Sequence, residues 1–331
     1  MTKNRILLLL LFSLLIWPAG AAQDQAGTGK PLAEIFTDFH YSPGDTLRTS
    51  GFGINRAHLG YYYNAGDNLT ALVIVNIGIP EELAAGSTLR RYAYFKEASI
   101  AYTTEKLKVN FGMVSTRIFN TQQGYWGKRY LGTEYQVLYN YGSVADIGIV
   151  VDYKLSNLVK VDFSLINGKG YSNIQFDNSI KTAFGITLSK TDKLIFRLYG
   201  DMMKPNGVLQ TVLIGFAGIK NNRFSLGVEE SYKSNSDMIK GHNTWGFSTT
   251  GAIFLSEKSE IFIRYDNSSS SVIPEEKLPC FYNLDQVYVI AGIQYTFSKN
   301  LRIAVNYRGT DPSDAKKHFT NGYFVNAHFK F

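Results

Sequence analysis

The side chains best suited to proton transfer, nucleophilic attack or metal binding are few: five histidines (His40, His58, His242, His318 and His328), one cysteine (Cys280), and scattered acids. A nucleophile needs a base held beside it, and a catalytic zinc needs its ligands on one surface. The spacing here provides neither. The histidines fall in separate segments, and the chain has no H-E-x-x-H helix and no G-x-S-x-G elbow. The sequence therefore reads as a non-enzyme with no catalytic residue, no metal site and no cofactor. A lone cysteine cannot close an intramolecular disulfide, and Cys280 reads as a loop residue without a special role.

The chemistry that the spacing does support is ion solvation. Arg56, His58, Lys108, Lys160, Arg197, Arg264, Arg302 and Arg308 occur on the polar face of segments whose other face is apolar, interleaved with Glu97, Asp146, Asp162, Glu229 and Asp266. If the apolar face meets lipid, these residues line a water-filled interior. A basic surplus there favours anions, because Arg and Lys stabilise an anion that sheds part of its hydration. The long segment Ser115–Gly142 adds Arg117, Lys128 and Arg129, with Tyr125, Trp126 and Tyr130. Folded inward, it would place these three cations at a constriction.

The elements that position these residues are strands. Ala57, Leu59, Tyr61 and Tyr63 alternate with Arg56, His58, Gly60 and Tyr62, while Leu107, Val109, Phe111 and Met113 alternate with Lys108, Asn110 and Gly112. A period of two marks a strand with two unlike faces, whereas helical spacing would scatter these residues around a cylinder. Sixteen such segments are predicted, over 32–40, 51–64, 69–77, 93–103, 107–114, 143–153, 158–167, 180–188, 194–202, 209–219, 223–233, 242–254, 260–267, 286–296, 301–308 and 322–331. Short connections rich in Asn, Asp, Lys and Ser, such as 65–68, 104–106 and 297–300, tend to alternate with long ones: 78–92, 115–142, 268–285 and 309–321. This is the asymmetry of outer-membrane β-barrels, with short periplasmic turns and long external loops. Hydrocarbon offers no partner to an open strand edge, so the first and last strands must pair. The fold class is thus all-β, a transmembrane antiparallel barrel, and sixteen strands leave an aqueous lumen.

Both ends of the chain fit a secreted barrel. Lys3 and Arg5 precede an apolar run from Ile6 to Trp17, followed by Ala19, Gly20, Ala21 and Ala22, which reads as a signal peptide over 1–22 cleaved after Ala21 or Ala22. The run is too short to span a bilayer, which takes about 20 apolar residues. Nothing marks a boundary in 23–331, so that stretch reads as one barrel domain. At the other end Tyr323, Val325, Ala327, Phe329 and Phe331 alternate with Phe324, Asn326, His328 and Lys330. This resembles the C-terminal strand signal of bacterial outer-membrane proteins, whose terminal aromatic is read by the barrel-assembly machinery. Loss of Lys3 and Arg5 takes the formal charge from +7 to +5, and the cations are scattered, so nucleic acid is not implied. The 22 Tyr and 22 Phe beside a mean hydropathy of −0.11 suit a wall in which only alternate residues touch lipid.

Several motifs carry a resemblance. Gly53-Ile54-Asn55-Arg56-Ala57-His58-Leu59-Gly60, Lys96-Glu97-Ala98-Ser99-Ile100-Ala101-Tyr102, Lys108-Val109-Asn110-Phe111-Gly112 and Tyr125-Trp126-Gly127-Lys128-Arg129-Tyr130 resemble, in order and spacing, the phosphate-selective porin O and P family. A weaker echo follows at Asn167-Gly168-Lys169-Gly170-Tyr171. The resemblance implies a sixteen-stranded porin in the bacterial outer membrane, assembled as a homotrimer, that admits small anions or polar solutes. His58 departs from it, standing where the family usually has a second arginine, and the family's arginine ladder and lysine cluster do not map onto this chain residue by residue. The alternative is a non-conducting barrel whose external loops bind a ligand or a surface.

Overall fold

The computed structural model describes residues 27–44, 49–78, 92–171, 178–190, 193–275, 277–314 and 316–331. The signal-peptide reading over 1–22 and most of the expected loop 78–92 lie outside them. Among the described residues the strands are β1 (Thr28–Ser42), β2 (Thr49–Gly66), β3 (Leu69–Gly78), β4 (Tyr92–Thr103), β5 (Leu107–Ser115), β6 (Ala145–Lys154), β7 (Val159–Ile166), β8 (Lys181–Lys190) and β9 (Leu194–Met203). They continue with β10 (Gln210–Lys220), β11 (Phe224–Ser234), β12 (Thr244–Phe254), β13 (Ser259–Ser270), a two-residue ladder of β14 (Val272–Ile273) and β15 (Leu278–Pro279), then β16 (Gln286–Ser298), β17 (Leu301–Pro312) and β18 (Thr320–Lys330). Apart from the ladder, which sits in an external loop, each strand pairs antiparallel with the next. β1 pairs with β18 from Glu34↔Lys330 to Tyr41↔Tyr323, which closes a barrel of sixteen strands.

All sixteen expected strands are present, and the alternation explains why. Along β11 Phe224, Leu226, Val228 and Tyr232 are exposed while Ser225, Glu229, Ser231 and Lys233 are buried. An exterior on which Leu198 is 66% and Phe111 61% exposed, with charges inside, is the reverse of a soluble protein. It suits a wall solvated by lipid. Pro31, which has no N–H to donate, lies below the first β1–β18 partner, where β1 is bonded by β2 alone.

The short connections are made as their residue types require. Asp67 and Asn68 take positive φ (46° and 66°), as a tight hairpin turn demands. Ser156 and Ser256 Oγ and Asn221 Oδ1 each accept backbone N–H groups two and three residues on. At the opposite end the strands run further than expected. The expected loop 309–321 shrinks because β17 continues to Pro312 and β18 begins at Thr320, and β13 extends to Ser270. Above the apolar band water replaces lipid, so the alternation used to find strands stops although the hydrogen-bonded ladder continues.

Four register shifts occur among the described strands: two lie beside short turns, after Asn64 and Thr296, and two break the period of two within the wall. The β1–β2 register jumps between Phe36↔Arg56 and Thr37↔Ile54, and the β3–β4 register between Ile74↔Glu97 and Val75↔Phe95. Asn55 and Lys96 are the extra residues, so Asn55–Arg56 and Lys96–Glu97 are each a polar pair of neighbours between outward apolar positions.

Candidate functional site

The buried apolar side chains lie mainly between the wall and the segment joining β5 to β6. Ile118, Phe119, Tyr135, Tyr139 and Tyr141 pack against Ala183, Tyr199, Val212 and Ile214, and Trp126, Tyr130 and Leu131 pack against Phe36, Phe262 and Ile290. These partners belong to β1, β8–β10, β13 and β16, so the segment crosses the barrel interior. It carries two short helices, α1 (Asn120–Trp126) and α2 (Tyr135–Leu138). Gly127 ends α1 in the left-handed conformation (φ 62°), its N–H donating to Gln123 O at 2.8 Å.

Wall side chains pin this loop along its length. Arg264 Nη1 donates to Thr133 O at 2.5 Å, Lys233 Nζ to Asn140 O at 2.7 Å, and Arg197 Nη2 to Arg117 O at 2.8 Å. In the other direction Tyr130 Oη donates to Gln294 Oε1 at 2.8 Å, Tyr135 Oη to Asn267 O at 2.9 Å and Gln136 Nε2 to Glu229 Oε2 at 2.5 Å. Trp126 meets Phe262 edge to face at 6.1 Å. Such contacts tie a loop of helical turns to a rigid wall, and the backbone polar groups that it carries indoors find partners.

Each of the three loop cations has an acidic partner. Arg117 makes a two-point pair with Asp152 at 2.7 and 2.6 Å, and Lys128 pairs with Glu260 at 3.0 Å. Burial works against the Arg117 charge, but Asp152 outweighs it and raises the guanidinium above its ordinary range. For Lys128 burial prevails and draws the ammonium below the usual lysine range, against the pull of Glu260. Arg129, at the tip, bonds Glu134, yet its Nε and Nη2 are buried with no partner among the described residues. It faces Arg56 of β2 and Lys96 of β4 closely enough for the three charges to repel one another. Arg56 and Lys96 make no hydrogen bond or ion pair with a described residue. Tyr94 and Tyr171 stack beside them at 5.7 Å.

The expected lumen residues divide by partner. Arg197 is held by Asp162 at 2.6 and 3.0 Å and by Thr187 at 2.8 Å; Arg264 is held by Asp266 at 2.6 to 3.1 Å. Arg308 stacks on Phe324 at 3.9 Å and donates to Asn306 and Asn326. Glu97 accepts from Ser115 Oγ, and Asp146 accepts from the N–H groups of Gly168 and Gly170, so it shapes the Asn167–Tyr171 motif. His58 Nδ1 lies 3.1 Å from Glu34 Oε2, and the other oxygen of Glu34 lies 2.8 Å from His328 Nε2. Tyr130 stacks on His328 at 5.3 Å, joining this triad to the loop.

Three cavities, on both sides of the loop, have a basic surplus. One of about 720 Å³, on the long-loop side, carries Arg56, Arg129, Lys169, Lys181 and Lys233 against Asp237. On the short-turn side one of about 450 Å³ includes Lys108, Arg117, Lys160 and Arg197 with Asp152 and Asp162. Another of about 340 Å³ includes Lys128, Lys220, Lys258 and Arg302 with Glu257 and Glu260. Sequence reasoning missed Glu34, Lys96, Lys181, Lys233, Glu260 and Gln294. Lys96 had a signal: two adjacent charges where an alternating strand allows one.

No protein-family model matches the chain, and no curated protein matches it either. Solved structures do. OmpF of Salmonella typhi is 12% identical over 92% of this chain and 97% of its own (TM-score 0.67). An anion-selective porin from Comamonas acidovorans is 11% identical over 92% of this chain and 100% of its own (TM-score 0.67). OmpT, an outer-membrane protein of Vibrio cholerae, is 13% identical over 93% and 99% (TM-score 0.62). At these identities the likeness is one of fold: the chain has the closed β-barrel architecture of outer-membrane porins.

Proposed function

We propose that this chain is a passive diffusion pore of the bacterial outer membrane, with no enzymatic activity, that prefers anions among small hydrophilic solutes. The observation that carries this reading is the cluster of Arg56, Lys96 and Arg129, in which a loop tip inside the barrel faces two wall cations that lack a counter-charge within bonding distance. Wall cations with no acid within bonding distance, set in a narrow and partly desolvated space, attract anions and repel cations. Lys108, Lys160, Arg302 and Arg308 line the approaches, while Arg197 and Arg264, paired with acids, position the loop. Glu97 and His58 set the local charge at the edge of the cluster.

The resemblance to the phosphate-selective porins supports phosphate as one permeant anion and a homotrimer as the assembled form. Purified protein in a planar bilayer tests the pore first. Under a potassium chloride gradient the reversal potential should carry the anion sign, and Arg56→Ala/Lys96→Ala/Arg129→Ala should bring it towards zero. Phosphate added to chloride then reports a specific site by a concentration-dependent drop in current. A cation-selective reversal potential would defeat the anion reading. A barrel that neither conducts nor lets sugars into liposomes would leave the ligand-binding or adhesion role of its external loops.

A further inference from the structure

Among the described residues, the outward strand positions between the two barrel ends are apolar, small or uncharged, with one exception. Lys190 and Asp311 stand at strand ends. Glu230 does not: it is exposed on the outside of β11, between the outward residues Val228 and Tyr232. Its register partners are Gly215 of β10 and Phe247 of β12. One outward step towards the long loops is the Tyr232↔Trp245 pair. Aromatic residues at that height mark the membrane interface, so the carboxylate lies just inside the apolar band on the external side. It makes no hydrogen bond or ion pair with a described residue.

Glu230 also sits in a hollow. A groove of about 820 Å³ is cut into this part of the wall because Gly215 and Ala217 present almost no side chain, while Leu198, Phe196, Trp245 and Phe247 rise around them. A Cβ on Gly215 would meet only Leu198, at 3.8 Å, so the glycine is not required by crowding. An ionisable side chain facing lipid is costly without a partner and usually marks a site.

We propose that this groove holds a membrane lipid with a primary-amine headgroup, its ammonium on the Glu230 carboxylate and an acyl chain along Gly215 and Ala217. Charge complementarity selects a cation. A second copy of this chain offers none, since no described outward position within its apolar band carries Lys or Arg. A lipid provides both halves of the match, a chain for the apolar floor and a charged head at interface height. The inference needs only the lipid-facing wall and is independent of what the pore admits.

Native mass spectrometry of the full-length mature protein, with equimolar phosphatidylethanolamine and phosphatidylglycerol, tests it. Bound phosphatidylethanolamine should exceed phosphatidylglycerol by about fivefold, the size of one partly exposed charged contact. Glu230→Gln should abolish that preference, and Gly215→Leu, which fills the groove, should lower retention of both lipids. Both variants should keep the wild-type conductance, because neither side chain faces the lumen. Equal retention by the wild type, or an undiminished preference in Glu230→Gln, would overturn the proposal. So would a multimer that dissociates in Glu230→Gln, which would assign the groove to a second copy instead.

Discussion

Arg264 shows how one side chain ties the wall to the loop. It is 1% exposed, paired with Asp266, and donates to Thr133 O. Replacing it with Gln leaves the Asp266 carboxylate buried without its partner, and breaking such a pair costs about 3–5 kcal/mol. Arg264→Gln should therefore lose its compact, heat-resistant electrophoretic form at a lower temperature than the wild type, with noisier single-channel currents as the loop loosens.

At the scale of elements, the loop is held like a small hydrophobic core inside the barrel. Trp126 is 3% exposed against Phe262 and donates from Nε1 to Gly132 O at 3.1 Å. Truncating a buried Trp to Ala costs about 3–5 kcal/mol in ordinary cores. Here the loss should fall on the loop and leave the wall intact: Trp126→Ala should become cleavable by protease within 116–144 while the barrel stays heat-resistant. The root of the loop has its own requirement. Gly112 pairs with Gly148 across β5 and β6 and has φ 116°, and a Cβ there would stand 2.4 Å from the Ala98 carbonyl oxygen. Gly112→Val should lower the yield of folded barrel on refolding into detergent, whereas Gly124→Ala, with open space around its Cβ, should not.

For the whole molecule, closure joins the first and last of the described strands. Ala33 and Phe331 exchange backbone hydrogen bonds at 3.3 and 3.1 Å, so the final residue completes the β1–β18 seam. Phe331 is exposed on the side of the short turns, where few packing contacts depend on its ring. Phe331→Ala should refold in vitro with nearly unchanged thermal stability, yet accumulate poorly in the outer membrane of growing cells, if the aromatic is a signal to the assembly machinery. Equal loss in both settings would make its role one of packing.

What this sequence determined by itself is everything written in a period of two: which segments are strands, which face each side chain takes, and that the chain must close. That information is local, because adjacent strand residues point to opposite faces whatever their neighbours are. The same locality made Arg56, His58, Arg197 and Arg264 legible as interior residues, and the length of 115–142 legible as an inward loop. Only the tertiary structure decided which charges are spent on one another. Asp152 neutralises Arg117 and Glu260 neutralises Lys128 across gaps of 35 and more than a hundred residues, as the path of the loop dictates, and no spacing records that. The bulges at Asn55 and Lys96 likewise depend on the register of two strands together. They place Lys96 beside Arg56 and Arg129, and so turn scattered basic residues into one cationic cluster.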